Sequence, residues 1–179
     1  MTQILSHGDF MDYSFLVQQL KDNAERIRSL VKNISDEQSR VQPARGAWSI
    51  LEVINHLYDE EQFDFRVRLG IILQHPEQDW PPIDPVGWVT ERRYNERSLS
   101  ESLENFLRER AASLSWLGSL NAVDWDTAYT RDGRTMLAGD MFASWVTHDH
   151  HHLRQLVELH RSLTEQAAQP YDLGYAGDW

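Results

Sequence analysis

Cysteine is absent from the 179-residue chain. A fold held together by disulfides, as in many small secreted modules, is therefore excluded. Thiolate ligands are excluded as well, so any metal site in this protein must use nitrogen and oxygen donors.

Long apolar runs are also missing. No stretch approaches the ~20 apolar residues that a membrane-spanning helix needs. The first residues, MTQILSHGDFMDY, lack the basic segment followed by an apolar segment that marks a secretory signal peptide. We therefore expect a cytoplasmic protein that does not act at a membrane.

An excess of basic residues is the third absence, because the formal net charge is −11. Such a surface repels phosphate backbones, so we do not expect a nucleic-acid partner. The apolar fraction of 41% and the charged fraction of 25% are typical of globular proteins. Together with the chain length, they predict a single domain over residues 1–179.

Four long segments have apolar residues at helical i, i+3, i+4 spacing. They cover approximately residues 9–34, 49–74, 99–120 and 136–163. The second segment has a clear start signal, because Ser49 and Glu52 have the spacing of a capping box. Strand signals are few, so the pattern predicts an all-α protein, most simply a four-helix bundle.

The connections differ in character. Residues 75–96 hold four of the six prolines together with Trp80 and Trp88, which predicts a loop that packs on the bundle. Residues 121–135 contain Asp132-Gly133, a turn signal that is compatible with a short hairpin. The aromatic tail YDLGYAGDW is expected to dock on the bundle.

Four of the eight histidines are clustered in the last helical segment. Residues four apart on a helix share a face, so His148 and His152 point the same way, along the apolar stripe. His151 falls at the edge of this stripe, whereas Asp149 and His150 fall on the outer sides. Two inward imidazoles at this spacing are typical of a chelating pair, with ~2.0–2.1 Å metal–nitrogen distances for zinc.

A third ligand should come from another helix, and His56 in the second segment is the best candidate. An α-helix would put it on one inward face with Val53, Glu60, Phe63 and Val67. Three histidines leave a coordination position open, which is typical of a catalytic site in which a water ligand is acidified toward a pKa of ~7.

Two further residues are candidates for supporting roles. Glu60, one turn after His56, could be a hydrogen-bond acceptor for a ligand, a fourth ligand or a general base. Gln155, three residues after His152, could orient a ligand or a water. Carboxylates are nonetheless more often solvated or paired than catalytic, and an isolated buried histidine is more often a hydrogen-bonded core residue.

Other metal-site patterns do not fit. Di-iron bundles use Glu-x-x-His pairs, and no glutamate stands three residues before any histidine here. The His-Glu-x-x-His pattern of zinc proteases is also absent. Nitrogen-rich ligation instead suits a divalent ion such as zinc, nickel, iron or copper.

The run AWSILEVINHLYDEE at 47–61 and the run THDHHHLRQL at 147–156 resemble the two signature motifs of the DinB-like, YfiT-related bundle proteins. The ending YAGDW also resembles members of this group. The resemblance implies a four-helix bundle with one long crossover connection. It also implies a divalent ion held by His56, His148 and His152, although the additional His150 and His151 leave room for another choice within the cluster.

The same resemblance indicates what the protein does only in outline. It implies a metal-dependent hydrolase or a transferase that uses a low-molecular-weight thiol, acting on a small molecule, often as a homodimer. The alternative is a non-catalytic dimeric bundle in which the metal is structural or absent.

Overall fold

Four helical stretches account for most of residues 11–177, the part of the chain that this computed structural model describes. They are, in chain order, α1 (Tyr13–Val31), the pair α3 (Ile50–Asp59) and α4 (Phe65–Gln74), α6 (Leu99–Ser119) and α7 (Ala138–Ala168). The shorter elements are α2 (Asp36–Ser39), α5 (Gly87–Glu91), β1 (Ala128–Arg131), β2 (Arg134–Leu137) and two 3₁₀ turns, Tyr94–Glu96 and Gly174–Ala176.

The start of α3 is set by the predicted capping box. The backbone N–H of Glu52 donates to Oγ of Ser49, and the N–H of Ser49 donates to the Glu52 carboxylate at 2.7 Å. The hydroxyl of Ser49 also donates to Asn95, which anchors this helix start to the segment that precedes α6. The capping box therefore fixes both where α3 begins and where it sits.

Helices α1 and α7 run parallel to each other. Near their starts the rings of Tyr13 and Phe142 are 5.6 Å apart, and near their ends His160 Nε2 donates to the carbonyl of Leu30 at 2.6 Å.

The second bundle helix, formed by α3 and α4, runs parallel to α6. Asn55 bonds Ser102 near the start of this pair, and Arg66 bonds Glu109 further along it. Because consecutive parallel helices cannot be joined by a tight turn, the chain must cross the length of the bundle between them. Residues 75–98 make this crossing, so the all-α fold with one long crossover connection is confirmed.

The crossover packs on the bundle as expected. The side chains of Trp88 and Tyr94 are buried, and Trp80 stacks on Tyr129 with ring centroids 4.4 Å apart. Tyr129 belongs to the hairpin of β1 and β2, which turns at Asp132-Gly133 as predicted. Because the hairpin extends through Leu137, α7 begins at Ala138 rather than near Met136.

The prediction of one unbroken second helix was wrong. A single π-helical turn, Glu60–Asp64, separates α3 from α4 and changes the helical register. As a result Phe63, predicted to face inward with His56 and Glu60, is 39% exposed, and Asp64 is buried instead.

Two other expectations also change. The described part of the tail is exposed, with Tyr175 fully accessible, so within residues 11–177 it does not dock on the bundle. The first helix ends at Val31, and the beginning expected near residue 9 lies outside the described residues.

The apolar core is divided into two clusters. One surrounds Phe65, Phe142 and Trp145, and the other surrounds Ile54 and Phe106. Between them every long helix contributes polar side chains that are buried or nearly so: Asn23, His56, Asp59, Glu60, Glu61, Asp64, Arg110, Ser113, His148 and Asp149. This polar layer holds the candidate site. Within residues 11–177, no helix combines the length and apolarity that crossing a membrane requires.

Candidate metal centre

The structure brings together the three predicted histidines, called here the histidine triad: His56, His148 and His152. His56 lies two turns after the capping box of α3. His148 and His152 lie one turn apart on α7, which packs antiparallel to α3 and α4. The capping box fixes where α3 begins, and it therefore fixes the position along the bundle at which His56 lies beside His148 and His152.

The imidazoles converge through their Nε2 atoms. Nε2 of His148 is 3.2 Å from Nε2 of His56 and 3.1 Å from Nε2 of His152, and one ligand atom from each residue lies within 4.8 Å of the others. Three nitrogens bound to one ion at ~2.0–2.1 Å in tetrahedral geometry lie ~3.3 Å apart. The spacing of the triad therefore fits a single divalent transition-metal ion.

The environment keeps these imidazoles neutral. Burial, with a smaller contribution from the nearby His152, lowers the pKa of His56 to about 3. Burial followed by the neighbouring histidines likewise lowers the pKa of His148, and burial lowers that of His152. Neutral imidazoles have a free lone pair and are therefore ready to bind a metal.

Gln155 fixes the tautomer of one member of the triad. Its Oε1 lies 2.8 Å from Nδ1 of His152. Because an amide oxygen can only accept, Nδ1 of His152 carries the proton, and Nε2 presents its lone pair to the centre of the triad.

Glu60 lies beside another member of the triad. Its Oε1 is 3.8 Å from Nδ1 of His56 and has no hydrogen-bond partner among the described residues. The side chain is 4% exposed, and burial together with a hydrogen bond to Asp64 raises its pKa to about 9. Burial therefore favours the protonated form of Glu60, and its Oε1 lies near Nδ1 of the His56 ring.

Further buried carboxylates lie in the π-turn and at the last residue of α3. Asp59 accepts from the hydroxyl of Tyr94 and lies 2.8 Å from Arg92, and Asp64 lies 2.8 Å from Arg68. The signal for these residues was the run DEEQFD, which puts acidic groups on several helical faces in the middle of an otherwise buried helix.

Asp149 was predicted to face outward, and this was wrong. It is fully buried and accepts two hydrogen bonds from Arg110, at 2.7 and 2.8 Å, and one from Asn23. Arg110 also bonds Glu61 at 2.8 Å. Because α7 packs against both α1 and the α3–α4 pair, and Arg110 reaches it from α6, the buried face of α7 is wider than the apolar stripe alone indicates. No sequence signal identified Arg110.

Two aromatic side chains cover the triad. The indole of Trp48 is 4.9 Å from the ring of His56 and stacks parallel to His152 at 6.3 Å. On another side, the ring of Phe65 is 5.0 Å from that of His148. These rings restrict the positions from which a ligand can approach.

The remaining described histidines are not members of the triad. His150 and His151 are exposed on α7, His75 is exposed after α4, and His160 bonds the carbonyl of Leu30. His7 lies outside the described residues.

Comparisons with known proteins find related sequences and a similar fold. The family model of the DinB superfamily matches residues 19–156, a span that includes all three triad positions. A protein of Bacillus licheniformis is 27% identical over 151 residues, which cover 79% of this chain and 81% of the relative. One of Oceanobacillus iheyensis is 25% identical over 146 residues, covering 80% and 83%. Both bear the name "putative metal-dependent hydrolase".

A solved structure has the same fold. YfiT from Bacillus subtilis, described as "a probable metal-dependent hydrolase with an unusual four-helix bundle topology", aligns with a TM-score of 0.76 at 18% identity. The alignment covers 88% of this chain and 91% of YfiT.

Proposed function

This chain belongs to the DinB superfamily, and on that basis we propose that it is a metal-dependent hydrolase whose divalent ion is held by His56, His148 and His152. The observation that carries the proposal is the convergence of three Nε2 atoms from two helices at 3.1–3.2 Å. The names of the relatives support hydrolysis as the reaction class.

The donor set supports a transition metal. Three imidazole nitrogens suit zinc, nickel or iron better than magnesium or calcium, which prefer oxygen ligands. When bound, such an ion supplies Lewis acidity that activates water and polarises an acyl oxygen.

The chain's own residues would hold and orient this centre. Gln155 keeps the proton of His152 on Nδ1, and we propose that Glu60 does the same for His56 after a small closure of the 3.8 Å gap. The buried Phe65 and the half-buried Trp48 limit the access of bulk water. In the reaction, the oxygen of water bonds to the acyl carbon, the bond to the leaving group breaks, and the leaving group takes the proton.

A second role has its own supporting observation. The triad joins α3 to α7 inside the core, so a bound ion could be a structural clip in a non-catalytic bundle. A low-molecular-weight thiol co-substrate and a homodimer stay predictions of the family resemblance.

Turnover of a panel of esters and amides by zinc- or nickel-loaded protein tests the hydrolase. We expect a rate that is lost in His56→Ala and on chelation, and that is unchanged in His75→Ala, which removes an exposed imidazole far from the triad. Metal-dependent thermal stabilisation with no turnover above the uncatalysed rate would instead favour the structural clip.

A further inference from the structure

Arg110 of α6 is the cation at the centre of the buried polar layer. Its side chain is 1% exposed, and its three nitrogens make five contacts of 2.6–2.8 Å with acceptors. Two of the acceptors are the carboxylates of Glu61 and Asp149, and the third is the backbone carbonyl of Leu20. Because a guanidinium has five N–H donors in a fixed plane, these contacts hold it in one orientation relative to its partners.

The two carboxylates belong to the two helical stretches that carry the histidine triad. Asp149 lies on α7 between the two triad members of that helix, directly after one and three residues before the other. Glu61 lies five residues after His56, in the π-turn that joins α3 to α4. Arg110 therefore connects, through one planar group, the backbone segments that position all three imidazoles.

Trp145 makes a second contact between the same two stretches. Its Nε1, three residues before His148 on α7, donates at 2.8 Å to Oε1 of Glu61, the oxygen that also accepts from Arg110. The other carboxylate oxygen of Glu61, Oε2, is buried and has no hydrogen-bond partner among the described residues. The alignment of α7 with the α3–α4 stretch therefore depends on one acceptor oxygen.

Charge alone would give Arg110 the opposite effect on a metal ion. Burial above all, then the neighbouring histidines and lastly Arg110 lower the pKa of His148, because a nearby cation disfavours a further positive charge. The same repulsion acts on a bound divalent ion. The carboxylates of Glu61 and Asp149 offset it, so the network attracts an ion only through these two groups. Charge and geometry therefore predict different results for the same substitutions.

We propose that Arg110 is a positioning residue of the metal centre. By holding the two carboxylates together, it fixes the distance between His56 and the pair on α7, so that the three imidazoles are arranged for an ion before it binds. The inference rests on the metal site of the proposed function and not on hydrolysis. Preorganised ligands bind more tightly because little ordering is left to occur on binding. Loss of this arrangement should therefore weaken metal binding even in a protein that is fully folded.

The first test keeps the charge of Arg110 and removes its geometry. Arg110→Lys retains a cation, but one ammonium group cannot reproduce the contacts of three guanidinium nitrogens. We expect zinc affinity, measured by competition with a chromophoric chelator, to fall by roughly 10-fold or more. The d–d absorption spectrum of the cobalt(II)-saturated protein, which reports the arrangement of the ligands, should also change.

The matched control for this test is Arg66→Lys. Arg66 of α4 lies 2.8 Å from the Glu109 carboxylate of α6, so this pair joins α4 to α6 and not to α7. We expect its zinc affinity to stay within about twofold of the wild type and its cobalt spectrum to be unchanged, because the alignment of α7 is preserved.

The second test removes the charge of Glu61 with and without its acceptor. Glu61→Gln keeps an oxygen that can accept from Arg110 and Trp145, and its amide nitrogen can occupy the position of the unpartnered Oε2. Glu61→Leu removes the charge and the acceptor together. We expect Glu61→Gln to bind zinc within about threefold of the wild type, and Glu61→Leu roughly 10-fold or more weakly. A purely electrostatic role predicts equal losses in the two variants.

Folding is controlled by circular dichroism at the temperature of the titrations. A loss of stability alone leaves the metal affinity unchanged as long as nearly all of the protein is folded. If Arg110→Lys does not fold, the two Glu61 variants decide the question.

The outcomes separate this inference from the proposed function. Wild-type affinity and spectrum in Arg110→Lys, or equal affinities in Glu61→Gln and Glu61→Leu, would overturn the positioning role and leave the metal site standing. The expected affinities in a protein without turnover would contradict the hydrolase and support the inference. Absence of zinc and cobalt binding in the wild type would overturn the metal site and the positioning role together.

Discussion

At the scale of single residues, the neutral state of the buried histidines makes the metal-free protein sensitive to acid. An unfolded imidazole titrates near ~6.5, whereas burial lowers the pKa of His56 to about 3 and also lowers that of His148. Below pH ~6.5 the unfolded chain therefore binds protons that the folded chain does not, and the free energy of unfolding falls toward low pH.

We expect this loss to amount to at most ~1.4 kcal/mol per pH unit for each histidine. Urea unfolding in the presence of a chelator, measured between pH 7.5 and 5.5, tests it. His56→Gln should have a shallower slope over this range, and His75→Gln should have the slope of the wild type. Identical slopes for all three proteins would contradict the buried, neutral state of His56.

Glu60 carries a separate prediction at the same scale. If its free oxygen supports Nδ1 of His56, then Glu60→Leu should weaken zinc affinity by roughly 10- to 100-fold, the usual effect of losing such a contact. Glu60→Gln should retain most of the affinity, because its amide oxygen can still accept. A competition titration with a chromophoric chelator measures the zinc affinity of each variant. Equal affinities in the two variants would argue against the contact between Glu60 and His56.

These residues show most clearly how much of the site can be predicted from the sequence. The i, i+4 spacing of His148 and His152 and the position of His56 after its helix cap were enough to predict that the three would meet. The burial of Asp149 could not be predicted, because its partner Arg110 is 39 residues away in the chain and lies on another helix. Side-chain pairs between helices depend on their relative rotation, which no local pattern specifies.

At the scale of elements, helix starts were predicted better than helix continuity. The capping box of Ser49 and Glu52 is a local contact, so the sequence reveals it directly. The π-turn at Glu60–Asp64 is not a purely local feature, because its carboxylates Glu61 and Asp64 are bound by Arg110 of α6 and Arg68 of α4. The apolar residues keep their helical spacing on both sides of the π-turn, so the sequence pattern does not reveal the one residue that the turn inserts.

The cap of α3 gives a stability prediction. Ser49→Ala removes the bond to the N–H of Glu52 and leaves the half-buried Asn95 without this donor, so we expect a loss of about 1–2 kcal/mol. Ser98→Ala removes the exposed cap of α6 and should cost about 0.5–1 kcal/mol. Chemical denaturation compares them, and a loss from Ser98→Ala equal to or larger than that from Ser49→Ala would contradict the anchoring role of Ser49.

At the scale of the whole molecule, the polar layer ties the four helices together at the level of the triad. Arg110 bonds Glu61, Asp149 and the backbone carbonyl of Leu20, and so it joins α6 to the π-turn, α7 and α1. The long crossover connection of this topology was implied by the family resemblance and not by the helical periodicity.

Replacing the central cation of this layer should be costly. Arg110→Met leaves two carboxylates buried without a counter-charge, so we expect a loss of about 3–5 kcal/mol in the free energy of unfolding. Arg154→Met removes an exposed pair with Glu158 and should change stability by less than about 1 kcal/mol. Calorimetry or denaturant unfolding measures both, and a small effect of Arg110→Met would mean that the layer does not hold the bundle together.

Metal content is the most direct test of the central claim that the triad holds one divalent ion. Mass spectrometry of purified protein, reloaded with zinc or nickel, should find close to one equivalent in the wild type. It should find the same in His150→Ala/His151→Ala, which removes the exposed neighbours, and none in His148→Ala/His152→Ala. No metal in the wild type after reloading, or equal metal in all three proteins, would contradict the claim.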